Sequence, residues 1–216
     1  MSLLQMNSTL IQDRTSFVSK VYSLLGVSLL FCCLGAFLGL SMPTGLYLPV
    51  IIGEFVVMFA CMFLQRSYPL NLFLLFAFTT LSGMTLGPVL NTYIAHGAGS
   101  AIPVATGITA FTFGGLSLYV NISKKDFSFL GGTLFIGLIG LLLFSLASMF
   151  FHLPINNLIY SGFGTLLFCG FILVDTSRLV HRYRDDEYVS ATLGLYLDIV
   201  NLFLFVLRLV GGGNRR

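Results

Sequence analysis

Charge is the scarcest property of this 216-residue chain: 9% of its residues are charged and 56% are apolar, where an ordinary soluble domain carries about 25% charged residues. That scarcity excludes a water-soluble fold. Cysteine is scarce as well. All four (Cys32, Cys33, Cys61 and Cys169) lie inside apolar runs, where a thiol behaves as a small hydrophobe, so no disulfide framework is expected. No low-complexity segment and no internal repeat is present. No nucleotide motif of the glycine-lysine type occurs, so active pumping is not supported. The first apolar run carries no small-residue cleavage pattern ahead of a soluble chain and reads as a signal anchor. Lys and Arg exceed Asp and Glu by only three, 11 against 8, too small a surplus to point to nucleic acid.

What is abundant is apolar sequence, with a mean hydropathy of +0.95. A helix of about 20 apolar residues crosses the hydrocarbon of a bilayer. Seven such stretches are predicted, at residues 21–41, 46–64, 70–90, 101–122, 127–150, 155–177 and 190–210. Seven spans use about 140 residues and leave roughly nine for each end and connection. The predicted fold is therefore all-α: a polar segment at 1–20, a single seven-helix transmembrane bundle at 21–212 and a short tail at 213–216. Pro43, Pro69, Pro103 and Pro154 fall between spans, Pro49 marks an early turn, and Pro88 marks a kink or a helix end. Gly35-x-x-x-Gly39 and Gly83-x-x-x-Gly87 offer small faces for close helix approach, read here as ordinary bundle packing.

Cytoplasmic loops retain positive charge. Arg14 and Lys20 precede the first span, Arg66 lies in the second connection, Lys124 and Lys125 in the fourth, and Arg178, Arg182 and Arg184 at the sixth; the odd-numbered connections have no Lys or Arg. This alternation places the amino end inside. A seventh full span then sends Arg215 and Arg216 outside, against the rule, so segment 190–210 is either an ordinary span with tolerated late charges or re-entrant or centrally buried.

Ionisable groups at membrane depth cost at least a few kcal/mol each and are functional candidates by default. Glu54, Asp175 and Asp198 qualify. Glu54 lies mid-span, as a protonated carboxyl bonded to a neighbouring helix or as part of an ion path. Asp175 lies eleven residues before Asp186, and Asp198 eleven after Glu187. Both then stand on the order of 16 Å from the turn at 184–187, at equal depth on antiparallel neighbours. Asn201 and Gly194 share the face of Asp198. Two carboxyls meeting in low dielectric share one proton and titrate in two separated steps, so proton number would control how tightly the two helices hold. Alternatively Asp175 pairs locally with Arg178 at i+3 and Asp198 caps a polar patch. Arg66 is either a competitor for Asp175, acting as a latch, or an interfacial anchor. His96, His152 and His181 lack partnered ligand spacing, so no metal site is expected, and no cofactor is implied. Asp185, Asp186 and Glu187 either recruit a divalent cation or form a solvated turn.

These residues, with Gly87-Pro88-Val89-Leu90-Asn91-Thr92-Tyr93, Lys125-Asp126-Phe127-Ser128-Phe129-Leu130-Gly131-Gly132 and Leu195-Tyr196-Leu197-Asp198-Ile199-Val200-Asn201-Leu202-Phe203, resemble the Bax inhibitor family of seven-helix membrane proteins, and within it the bacterial YccA-like group. The resemblance covers nearly all of residues 15–212. It implies six helices wrapped around a central seventh, a multi-pass protein of the bacterial inner membrane with a cytoplasmic amino terminus, and a pH-sensitive passive calcium leak. In that reading Asp175 and Asp198 are the sensor, with Asn201 and Arg178 as support, Arg66 is the latch and Glu54 lines the ion path, with calcium as the transported ion. The YccA-like group implies a second role, binding and restraining an FtsH-type protease. An enzyme is not expected: intramembrane aspartyl proteases place one aspartate in Gly-x-Gly-Asp, and here Gly162-Phe163-Gly164 is followed by Thr165.

Overall fold

The computed structural model describes residues 3–152 and 156–212, with side chains from Arg14 onward. Pro154, Arg215, Arg216 and the rest of the tail, and the side chains of the first thirteen residues, lie outside the described residues. Seven helices follow one another: α1 (Leu3–Gly39), α2 (Tyr47–Phe63), α3 (Leu70–Ala95), α4 (Ala101–Ser123), α5 (Gly131–Phe151), α6 (Asn157–His181) and α7 (Tyr188–Gly212). Single 3-10 turns at Thr44–Leu46, Ser128–Leu130 and Asp185–Glu187 lead into α2, α5 and α7, and no strand occurs among the described residues. Each helix is long and apolar enough to cross a bilayer, the shortest candidate span being the 20 residues Thr44–Phe63, about 30 Å of helix against about 30 Å of hydrocarbon. The chain is a multi-pass membrane protein.

Two helices run further than their apolar stretches. α1 begins at Leu3, well ahead of the predicted 21, because residues 3–20 contain neither Gly nor Pro and a helix needs backbone compatibility, not uniform hydrophobicity. α3 continues through Pro88 to Ala95. Pro88 cannot donate to the carbonyl of Met84; that carbonyl instead lies against Gly39 of α1, so closely that a Cβ there would collide with it. Pro49 and Pro103 sit in the first turns of α2 and α4, where the missing N–H would be unused. α7 is one uninterrupted helix of 25 residues, so residues 190–210 do not form a broken or half-length segment. Of its most apolar stretch 39% is buried, the same share as in α3 and far above the 6% of α2; burial is thus shared between α3 and α7.

The chain packs as two compact units: Met1–Thr92 with Arg182–Tyr196, and Tyr93–His181 with Leu197–Arg216. In the first, the two glycine pairs face each other. A Cβ on Gly83 would strike the Cys32 carbonyl, one on Gly35 the Thr80 carbonyl, and one on Gly87 the backbone of Gly39. The absent side chains are what let α1 and α3 approach backbone to backbone. Phe78 and Tyr196, both fully buried, meet edge to face at 5.8 Å in the same unit. In the second unit Phe205 of α7 stacks on Phe168 of α6 at 5.7 Å and covers Gly164, where a Cβ would collide with its ring.

Candidate functional site

α6 and α7 carry the acids of the second unit. Asp175 stands three residues before Arg178, one turn away on the same face of α6. Arg178 Nη1 donates to Asp175 Oδ1 at 3.0 Å, with the carboxylate side chain 13% exposed and the guanidinium 41%. Gly131, at the start of α5, makes room: a Cβ there would lie 2.8 Å from Arg178 Nη2. Asp198, on α7, is buried, and among the described residues its Oδ2 has no hydrogen-bond partner. Asp175 and Arg178 both lie within electrostatic reach of it. Asn201, expected to support the pair, gives one Nδ2 hydrogen to the Leu197 carbonyl of its own helix at 2.8 Å. The arrangement is two carboxyls and one guanidinium in an apolar surround, with one buried carboxyl oxygen left over. A group of that kind is stable only while its proton count keeps the net charge small.

The same stretch of α6 is tied to the fourth connection. Ser177 Oγ accepts from the Phe127 backbone N–H at 2.9 Å and donates to Asp126 Oδ1 at 3.2 Å. Thr176 and Ser117 of α4 share a hydrogen bond of 3.3 Å. Ser177 also offers its carbonyl to His181 Nδ1 at 2.9 Å.

Glu54 belongs to the first unit. Thr85 Oγ1 of α3 donates to Glu54 Oε2 at 2.9 Å, and Ser82, one turn earlier, lies near the same carboxyl. A cavity of about 110 Å³, lined by Met42, Tyr47, Ile51, Thr85 and Pro88, opens beside Thr85, room for water with a polar partner in its wall. The Tyr196 hydroxyl of α7 donates to the Thr79 carbonyl at 3.4 Å, and the side chains of Cys32 and Ser82 lie near it.

Arg66, between α2 and α3, pairs through Nε with Asp186 Oδ2 at 3.1 Å and through Nη2 with Glu187 Oε1 at 3.5 Å. Arg184 Nε adds a contact of 3.4 Å to Asp186 Oδ1. Asp186 and Glu187 are thus matched by arginine, and Asp185 lies within electrostatic reach of Arg14. Asn71 Nδ2 donates to the Tyr188 hydroxyl at 3.2 Å, Ser190 donates to the Gln65 side chain, and Lys20 lies 3.5 Å over the Tyr188 ring. The start of α7 is therefore fastened to the second connection. The described partners of Arg66 are these turn acids, and that of Asp175 is Arg178. Among the described residues no group of three or more His, Cys, Asp and Glu side chains could hold a metal ion.

Arg208 is a further ionisable group inside the seventh apolar stretch, and the rule that marks Asp198 applies to it equally. Ser82, Thr85 and Tyr196 carry no such mark in the sequence, because hydroxyl residues are common in membrane helices and only packing shows which groups they face.

Residues 14–215 match the family model described as inhibitor of apoptosis-promoting Bax1. The chain is similar to the Golgi anti-apoptotic protein of Vaccinia virus (strain Lister), 37% identical with 97% of this chain and 90% of that protein covered. It is similar to protein lifeguard 4 of Mus musculus, 34% identical over 97% and 90% of the two chains. It is also 36% identical to the modulator of FtsH protease YccA of Escherichia coli (strain K12), over 94% of this chain and 95% of that one.

Proposed function

From the premise that the chain belongs to the Bax inhibitor family, we propose that it is a passive, pH-sensitive cation leak, with calcium as the transported ion, gated by Asp175 and Asp198. The observation that carries this reading is Asp198: a carboxyl buried in a membrane-spanning helix with an oxygen lacking any described partner, beside an acid already held by arginine. A buried acid of this kind is costly, and proton uptake or release changes the net charge of the set by one unit in low dielectric. That is a local charge change able to bias the packing of α6 and α7. In this reading Glu54 lines the ion path and Arg66 is the latch, held by Asp186 and Glu187, with the amino terminus cytoplasmic in a bacterial inner membrane. The protein is not an enzyme in this reading, and needs no cofactor.

The test is calcium flux into liposomes containing the full chain, at two pH values about two units apart. Wild-type flux is expected to differ between them. Asp175→Asn and Asp198→Asn are expected to make the two values equal. A pH profile unchanged in both variants removes the sensor.

A second reading rests on similarity to the modulator of FtsH protease: the chain binds and restrains a membrane-bound protease of that type, through its amino-terminal segment. The two roles use different parts of the molecule.

A further inference from the structure

The second unit contains a groove that the leak reading does not use. It has a volume of about 500 Å³ and lies between α5 and α6, walled by Gly137, Gly140, Phe144, Tyr160 and Phe163, with Asn156 among its lining residues. The volume falls within the range of ligand sites, about 300–1,000 Å³. Its floor is made by glycine. A Cβ on Gly137 would press on Leu167 at 2.6 Å, so that residue sets the spacing of α5 from α6; Gly140 has no atom within 4 Å of its Cβ position, so a side chain there would stand in the groove.

A charge sits over Tyr160, one of the residues that line the groove. Arg208, on the last turns of α7, holds its guanidinium 5.2 Å above the ring of Tyr160 and 6.0 Å from that of Phe205. Stacking occupies the face of the guanidinium and leaves its N–H fork available to a bidentate anion. Arg208 is exposed, and the described ion pairs all involve other arginines. Asn156, just before α6, uses Oδ1 to accept the backbone N–H groups of Leu158 and Ile159 at 3.1 and 3.3 Å, which leaves its amide nitrogen as a donor.

An apolar trough on a membrane-spanning helix pair, with an amide in its wall and a positive charge over one of its lining rings, matches a molecule with a hydrocarbon chain and an anionic head. We propose that the groove binds one anionic phospholipid, its acyl chain against Gly140, Phe144 and Phe163 and its phosphate on Arg208. The charge of Arg208 selects phosphate-bearing lipids with a net negative headgroup, and the missing side chain of Gly140 admits the chain. The proposal is independent of the leak reading.

The experiment uses the full chain in detergent, offered equal amounts of phosphatidylglycerol and phosphatidylcholine with identical acyl chains, with bound lipid counted by native mass spectrometry. Wild type is expected to retain one phosphatidylglycerol, preferred about fivefold, the scale of a single arginine at a membrane surface. Arg208→Gln is expected to abolish that preference while still retaining lipid of either kind. Gly140→Leu is expected to lower retention of both lipids at least about fivefold, since it fills the trough. Gly140 faces open space and exposed Arg208 gives up only its contacts with the Tyr160 and Phe205 rings; melting of each variant within a few degrees of wild type checks that the fold survives, and Gly140→Ala is the smaller filling if leucine does not fold. Equal retention of the two lipids by wild type overturns the proposal. So does undiminished retention in Gly140→Leu, or a mass showing a second copy of the chain in place of lipid.

Discussion

Arg178 is 41% exposed and Asp175 only 13%, so the burden of their ion pair falls on the carboxylate. A hydrogen bond to a charged group contributes about 1.5–3 kcal/mol, and solvent around the guanidinium places this one at the lower end. Arg178→Gln is expected to lower stability by about 1.5 kcal/mol, read as an earlier thermal midpoint in detergent at neutral pH; an unchanged midpoint would mean that the pair contributes nothing. Asp198→Asn is expected to cost less, because the oxygen it alters has no described partner to lose. The i+3 spacing of Asp175 and Arg178 was open to reading before any fold was known, and so was the depth of Asp198. The unpartnered oxygen was not, since it depends on which atoms α7 meets when it packs.

Between helices of the first unit, α1 and α3 meet backbone to backbone, where Gly35, Gly39, Gly83 and Gly87 each leave a gap that a backbone fills. A methyl group at Gly83 must push the Cys32 carbonyl aside, and overpacking of this kind costs about 1–3 kcal/mol. Gly26, on the same α1, has open space at its Cβ position, and replacing glycine there should stabilise the helix by up to about 1 kcal/mol. Gly83→Ala is therefore expected to melt earlier than wild type and Gly26→Ala no earlier. Equal melting of the two variants would contradict a backbone contact at Gly83. The small-residue spacing was visible in the chain, but which helices it joined was not. α3 also ran past Pro88, because a freed carbonyl in a membrane helix is tolerated where a neighbouring backbone can cover it.

For the protein as a membrane component, the leak and the protease readings separate by where they touch it. By composition residues 1–20 form one polar segment, yet Phe17 is buried and Lys20 lies over Tyr188, so removing all twenty would damage the first unit. Deleting residues 1–13 spares both. That deletion is expected to abolish restraint of an FtsH-type protease in a co-reconstituted degradation assay, while calcium flux in liposomes stays within about twofold of wild type, the scale of a few tenths of a kcal/mol. Loss of flux together with restraint would show that the two roles share one surface.

The identity of the solvent was settled by composition: a chain with 9% charged residues must place its helices in lipid, and apolar run length then set their number. Chain order also marked the acids at depth, because an ionisable residue in an apolar run is conspicuous wherever the run packs. Partner choice followed from folding. Arg66 meets Asp186 and Glu187 while Arg178 takes Asp175, Thr85 finds Glu54, and Arg208 comes to rest over Tyr160. Most of these pairings join distant parts of the chain, and which side chains meet there is fixed by how the helix faces turn and how closely glycine lets them approach.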